Sequence, residues 1–384
     1  MDIPNTADIV IIGGGVMGAS ALYHLAQRGV KNIVLLEKEE LFGTGATGRC
    51  AGGVRYQFST EINVRLSQAS LPMIERFKEE IGQDVNYRQC GYLLVATDEK
   101  DRAAFQRNVE LQNRLGVPTQ LLSGDEVRAR LPLAKFPDAL AGTFNQKDGL
   151  VDPNSVVMGY ISAAARLGAK AVSRAEVTGI RVRGNQVEAV ETAAGSIATR
   201  TVLNAAGPWA GVVGQMAGVR VPIVPVRRQI FTTTAMPQIP SDFPFVIDFA
   251  QSLYFHREGD GLLVGMSNPR EKPGFDQNVD EEFELTNLEA AAARLPLLER
   301  AGRVSHWAGL YEVTPDAHPI FGRTPVGGFS MVAGFSGHGF MHGPVAGKLM
   351  TEWMLDGGFQ TLDVSLLDLA RFDEGRLIQE YNVV

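Results

Sequence analysis

Cysteine is almost absent from this 384-residue chain, with Cys50 and Cys90 the only two. Two thiols cannot build a disulfide framework, and their spacing is not that of a metal site, so a stapled secreted scaffold is excluded. Free thiols fit a reducing compartment. The six histidines show no ligand spacing either, and no metal is expected. Long apolar runs are missing too. The longest, Ile9 to Leu25, is broken by four glycines and a histidine, which makes it a strand and a helix rather than a membrane span. Positive charge is in deficit, 36 Lys and Arg against 43 Asp and Glu. Nucleic acid is therefore not an expected partner, because phosphate binding needs concentrated basic surface. Asp2 and Asp8 stand where a secretory leader would be basic, and the expected location is cytoplasmic.

Glycine, by contrast, is abundant, with 42 residues gathered in clusters. Clustered glycine marks sharp turns or backbone brought close to a ligand. The length suits about two domains of ~100–200 residues, and a composition 45% hydrophobic and 21% charged is that of a globular protein.

Residues 8–12 read as a strand buried on both faces, and a helical pattern runs from Met17 to Arg28. A second strand, Ile33 to Leu36, ends in Glu37. Between the first strand and the helix lies Gly13-Gly14-Gly15-Val16-Met17-Gly18, a G-x-G-x-x-G run in the context a dinucleotide site requires. Gly13 permits the tight turn, Gly15 admits a pyrophosphate to the backbone, and Gly18 lets helix and strand pack closely. Val16 and Met17 open the helix, whose free N–H groups carry partial positive charge. Glu37, with Lys38 beside it, sits where an acidic residue binds ribose hydroxyls. A second glycine-rich stretch, Gly43 to Arg55, favours FAD over NAD because an extended flavin cofactor needs more small, close-packing residues. No second G-x-G-x-x-G is present for NAD(P)H.

Further along, residues 60–82 read as helical, 91–96 as a strand and 99–116 as a charged helix. Asp152-Pro153 opens another helix that Gly168 ends. Short β segments follow over 175–202 and 226–267, then a helix over 280–293. The chain closes with a strand (Ser330–Ala333), a glycine-rich loop (Gly334–Gly339) and a helix from Pro344 to Leu355. One domain assembled from both ends, with a β-rich part inserted, is the expected arrangement.

Five segments in order carry a family resemblance: the N-terminal fingerprint, Thr47-Gly48-Arg49-Cys50-Ala51-Gly52-Gly53-Val54-Arg55, Asn204 to Trp209, Gly309 to Pro319, and Gly334 to Phe340. Together they resemble the D-amino-acid oxidase superfamily of flavoproteins. The chain looks most like the group of sarcosine oxidase and proline dehydrogenase β-subunits. The resemblance implies an α/β chain (α+β overall): a Rossmann-like FAD domain of the glutathione-reductase type, with an inserted antiparallel-sheet substrate domain. The FAD domain would comprise 1–85, 145–225 and 305–384, and the substrate domain 86–144 and 226–304. It also implies cofactor contacts at Thr47, Gly48, Arg49, Cys50, Gly52, Gly53, Val177, Ala206, Gly207, Trp209, Gly309, Gly334, Gly337, His338, Gly339 and Phe340.

Two departures from the family pattern bear on the cofactor. Monomeric sarcosine oxidases carry a flavin-linking cysteine where this sequence has Gly309, so the FAD is expected to be non-covalent. Val151-Asp152-Pro153-Asn154 lacks the histidine that holds a second flavin in sarcosine oxidase β-subunits, and no bridging FMN is expected.

The activity implied is oxidation of a small amino acid or N-methylamino acid to its imine, with oxygen or another carrier taking the electrons. Such chemistry needs an oriented C–H bond and stabilised flavin charge, not a metal or a nucleophile. The loop Gly334–Gly339 and the helix after it suit the second task. Glycine and D-amino-acid oxidases grip the carboxylate with an arginine where this chain has Tyr311. Arg55 is the substitute candidate, because a planar guanidinium holds a carboxylate with two bonds. Tyr254 and His256, two residues apart on one strand face, are candidates for the opposite wall, and His338 for contact with flavin or substrate. His318 and Arg323 are assigned packing near the cofactor. The alternative reading is a flavin-carrying subunit active only with a partner, and a homo-oligomer is a further option. An NAD-dependent dehydrogenase would be colourless.

Overall fold

A computed structural model describes residues 3–383. Its six-stranded sheet runs in the order Ile320–Arg323, Phe329–Ala333, Val202–Asn204, Ile9–Ile12, Ile33–Leu36, Lys170–Val172. Every neighbouring pair is parallel except the first. The two central apolar strands, Ile9–Ile12 and Ile33–Leu36, are buried at every residue, as a sheet covered on both faces demands.

The helix Val16–Gln27 lies between two others, Pro153–Arg166 and Gly339–Asp356, and packs extensively on both. Its crossing with Gly339–Asp356 is unusually close. A Cβ on Gly347 would lie 2.4 Å from the Ala21 nitrogen, and one on Gly343 would lie 2.4 Å from a Val16 methyl. The Ser20 hydroxyl donates to the Pro344 carbonyl at 2.9 Å across the same contact.

The second large sheet has eight strands: Arg303–Val313, Val224–Thr233, Gly261–Met266, Leu253–Glu258, Phe245–Asp248, Tyr92–Ala96, Ala141–Asn145, Gln120–Ser123. It is antiparallel apart from one pair, Phe245–Asp248 beside Tyr92–Val95, which runs parallel. The helix Glu281–Arg294 packs against it. The strand Arg303–Val313 carries residues 305–313 into this sheet, although the family pattern gives them to the cofactor part.

Residues 60–82 are helical as expected, in two helices, Glu61–Glu75 and Phe77–Ile81, parted at Arg76. Two local expectations need correction. The last long helix begins at Gly339, five residues before Pro344. Proline is most at home in a first turn, which drew the expected start too late; here it sits in the second turn, where its ring costs one backbone donor. Arg323 is exposed, so it does not pack near a cofactor. No described helix is long and apolar enough to cross a membrane.

The crossing at Gly347 has no room for a side chain. Gly347→Val is expected to cost about 1–3 kcal/mol or more by overpacking, seen as a lowered thermal midpoint and a lower yield of yellow protein. An unchanged midpoint would mean that the two helices can separate freely.

Candidate active site

Two cavities adjoin where the sheets meet. The first, about 360 Å³, runs from Glu37 and Lys38 past Gly13–Met17 to Gly337, Gly339 and Phe340. Residues from opposite ends of the chain therefore line one cleft. Gly13 has φ +111°, and a Cβ there would strike the Ala205 carbonyl oxygen at 2.4 Å, so only glycine makes this turn beside the neighbouring strand. Gly15 caps the following helix without any side-chain bond. Thr47 Oγ accepts from the Val16 N–H at 3.2 Å. The Glu37 carboxylate accepts from Gly14 N–H at 2.7 Å and from Glu39 N–H at 2.9 Å. Both bonds fix its direction toward the cleft. Lys38 Nζ lies 3.5 Å from the centre of the Trp209 ring, a cation–π contact, and Trp209 stacks on Phe275.

Most of the expected cofactor residues line this cleft: Gly13, Gly15, Val16, Met17, Glu37, Lys38, Thr47, Arg49, Cys50, Val177, Ala206, Gly207, Trp209, Gly337, Gly339 and Phe340. Gly18, Gly48 and Gly334 do not. Their missing side chains make room for protein, since a Cβ would meet the Gly13 oxygen at 1.9 Å, the Gly43 oxygen at 2.4 Å and Thr314 at 2.5 Å respectively. Gly52, Gly53, Gly309 and His338 belong to the second cavity instead. Gly309 is also held as glycine by packing, for a Cβ would lie 2.9 Å from Arg49 Cβ. Cys50 touches both cavities; burial pushes its thiol up to about 11, so it stays protonated at neutral pH.

An extended dinucleotide fits this set of groups. The helix start, where Gly15 offers no side-chain cap, suits a pyrophosphate and the fixed carboxylate suits hydroxyls. Sequence reasoning missed Glu312, which also lines the cleft. Its Oε1 accepts weakly from the Phe335 N–H at 3.3 Å, while its buried Oε2 has no protein partner. Burial lifts this carboxyl from its usual 4.5 to about 7.

The second cavity encloses about 110 Å³ and shares Arg49, Cys50, Tyr311, Gly337 and Phe340 with the first. Its walls are apolar and aromatic, with Tyr92, Phe245 and Tyr254 among them. Arg49, Arg55 and Arg228 reach it, but among the described residues no Asp or Glu does. Arg55 is buried over the Phe58 ring and donates to the carbonyls of Gln57 and Asn382. Tyr254 packs flat over Gly265, its register partner, where a Cβ would lie 2.2 Å from the ring. The Tyr311 ring lies against Gly337, whose φ of +100° leaves the space open. Burial raises the Tyr92, Tyr254 and Tyr311 phenols, so all three stay neutral. His338, at the start of the last long helix, is buried with both ring nitrogens unpartnered. Burial, then the charges of His318 and Arg55, hold it well below its usual range.

His256 lines neither cavity. It shares a strand face with Tyr254 but lies one step deeper, stacked on Phe245 at 4.8 Å with Nδ1 near the Arg257 carbonyl. Strand alternation gives the face, not the depth. Arg228 was not singled out from the sequence, since nothing in its local pattern separates it from Arg227. His318 is buried 3.0 Å from the Thr60 hydroxyl.

The model of the family described as "DAO: FAD dependent oxidoreductase" matches residues 8–353. Mouse mitochondrial sarcosine dehydrogenase is 33% identical over 98% of this chain and 43% of that protein. This chain thus spans under half the length of that relative. Among solved structures, L-proline dehydrogenase from P. horikoshii superposes with a TM-score of 0.91 at 33% identity, covering 98% of this chain and 100% of the other. Glycine oxidase from Geobacillus kaustophilus gives 0.85 at 26% identity, covering 96% and 99%.

The position of Glu312 sets a pH dependence for the FAD-free protein. Its folded carboxyl holds a proton more tightly than the unfolded chain does, so the stabilisation is full below about pH 4.5 and lost as pH rises to about 7. Glu312→Gln should remove that loss, making the variant up to about 3 kcal/mol more stable than the parent near pH 8 but not near pH 4. Denaturant midpoints at the two pH values read the difference, and parallel curves would contradict it.

Proposed function

The chain belongs to the family of FAD-dependent oxidoreductases, and we propose that it oxidises a small amino acid or N-methylamino acid at the bond between nitrogen and its neighbouring carbon. The observation that carries this reading is the second cavity, in which three arginines, and among the described residues no acidic side chain, adjoin the dinucleotide cleft. A buried cation without a counter-charge is costly unless a ligand supplies one. A substrate carboxylate does so. The names of the relatives, sarcosine and L-proline dehydrogenases and a glycine oxidase, point to the same substrate class.

The chemistry bound FAD supplies is two-electron acceptance: a hydride leaves the carbon beside nitrogen, and the resulting iminium releases its proton to solvent to give the imine. The protein's part is orientation and electrostatics. Arg55 grips the carboxylate and fixes the C–H bond. Among the described residues no carboxylate lines the cavity to pair with an ammonium, and its arginines disfavour one, so the amine enters in its neutral, reactive form. The unpartnered nitrogens of His338 orient the amine by hydrogen bonding; held neutral, the ring does not store its proton. The start of the helix Gly339–Asp356 directs partial positive charge to the cleft, where reduction adds negative charge. Glu37 holds ribose hydroxyls, and Gly15 with Val16 takes the pyrophosphate without a covalent link.

Anaerobic mixing with a panel of glycine, sarcosine, proline and common L- and D-amino acids should bleach the flavin band for at least one of them. A panel that leaves the spectrum untouched sinks the proposal. With a substrate in hand, Arg55→Lys should raise KM about 10- to 100-fold, the loss of one charge-assisted bond, while kcat falls much less and flavin content holds. Equal loss in kcat alone would place Arg55 outside carboxylate binding.

A further inference from the structure

Arg227 and Arg228 are neighbours on the strand Val224–Thr233, and alternation sends them to opposite faces. Arg227 meets three carboxylates, Glu271 at 3.2 Å, Asp276 at 3.0 Å and Asp280 at 3.8 Å. Arg228 meets none among the described residues. It borders the second cavity, 5.0 Å from the centre of the Tyr311 ring. Among the described residues its one protein hydrogen bond is from Nη1 to the Arg227 carbonyl at 2.9 Å, and its buried Nε has no partner there. Arg55 likewise has no carboxylate within ion-pair distance among the described residues. One small cavity therefore holds two guanidinium groups with spare donors, and a single substrate carboxylate satisfies one of them.

From this pair we infer that Arg228 is a second anion anchor, and that the cavity selects amino acids carrying two acid groups over those carrying one. The inference rests on the proposed amino-acid oxidation and names the substrate class within it. Arg49 donates from Nε and Nη1 to the carbonyls of Thr44 and Ala308 and borders both cavities rather than the second alone. The neutral tyrosines supply no competing charge. Arg55 and Arg228 each keep N–H donors that the carbonyls they meet do not use.

The test uses the FAD-loaded full chain and matched acids that differ by one carboxymethyl group: sarcosine against N-methylaspartate, and glycine against aspartate, with the diacid in each hand. Half-saturation is read from the flavin spectrum under anaerobic conditions. The diacid of at least one pair is expected to saturate at about tenfold lower concentration or less, the effect of one charge-assisted bond. In Arg228→Met the ratio should collapse toward one while the monoacid is bound as before. In Arg228→Lys, which keeps the charge, part of the preference should survive. Unchanged flavin content and thermal midpoint in both variants separate binding from folding. A ratio near one in the parent, or equal weakening of both acids in Arg228→Met, overturns the inference. Monoacids that reduce the flavin with no gain for any diacid remove only this inference. If neither kind perturbs the flavin, the underlying reading falls with it.

Discussion

The close crossing of the first helix with the last long one is the contact on which the site depends. Gly343 and Gly347 let the helix Gly339–Asp356 lie directly on the backbone of Val16–Gln27. That contact brings Gly337 and Gly339 beside Gly13–Val16, so one cleft is lined by both ends of the chain. Were the helices a methyl group further apart, the loops would no longer share a wall. Van der Waals packing at two glycines thus does work that no hydrogen bond in the cleft could do alone.

Electrostatics divides the molecule sharply. Away from the site, buried charge is matched, as where Arg371 grips Asp316 at 2.9 Å with both side chains fully buried. At the site it is not. Among the described residues Arg55 and Arg228 have no carboxylate within ion-pair distance, both His338 nitrogens and the Arg228 Nε lack partners, and Glu312 keeps an oxygen free. Unpaired guanidinium groups bordering a cavity mark where ligand atoms complete the structure.

Much of this was legible in the sequence, and the reasons differ residue by residue. The turn from Gly13 to Gly18, the strand before it and Glu37 are local, and local rules found them. The order of five motifs carried a family resemblance, and that resemblance implied the fold. The start of the last helix was misread because Pro344 carries a strong first-turn signal that tertiary packing overrides. His256 was misplaced because periodicity reports a face without saying how deep along it the ligand reaches. Arg228 was invisible: two adjacent arginines look alike until the strand's neighbours show that Glu271, Asp276 and Asp280 all wait on one side. Glu312 was missed for a related reason, its isolation being a property of the folded surroundings.

The separation of the two glycine turns along the chain has a consequence for biogenesis. Ser20 and Pro344, which touch, are 324 residues apart. At roughly 5–20 residues per second, the ribosome needs on the order of tens of seconds to make the second turn after the first has emerged. Until then the nascent βαβ unit offers only half a cradle. Cofactor capture therefore waits until the second turn has been made.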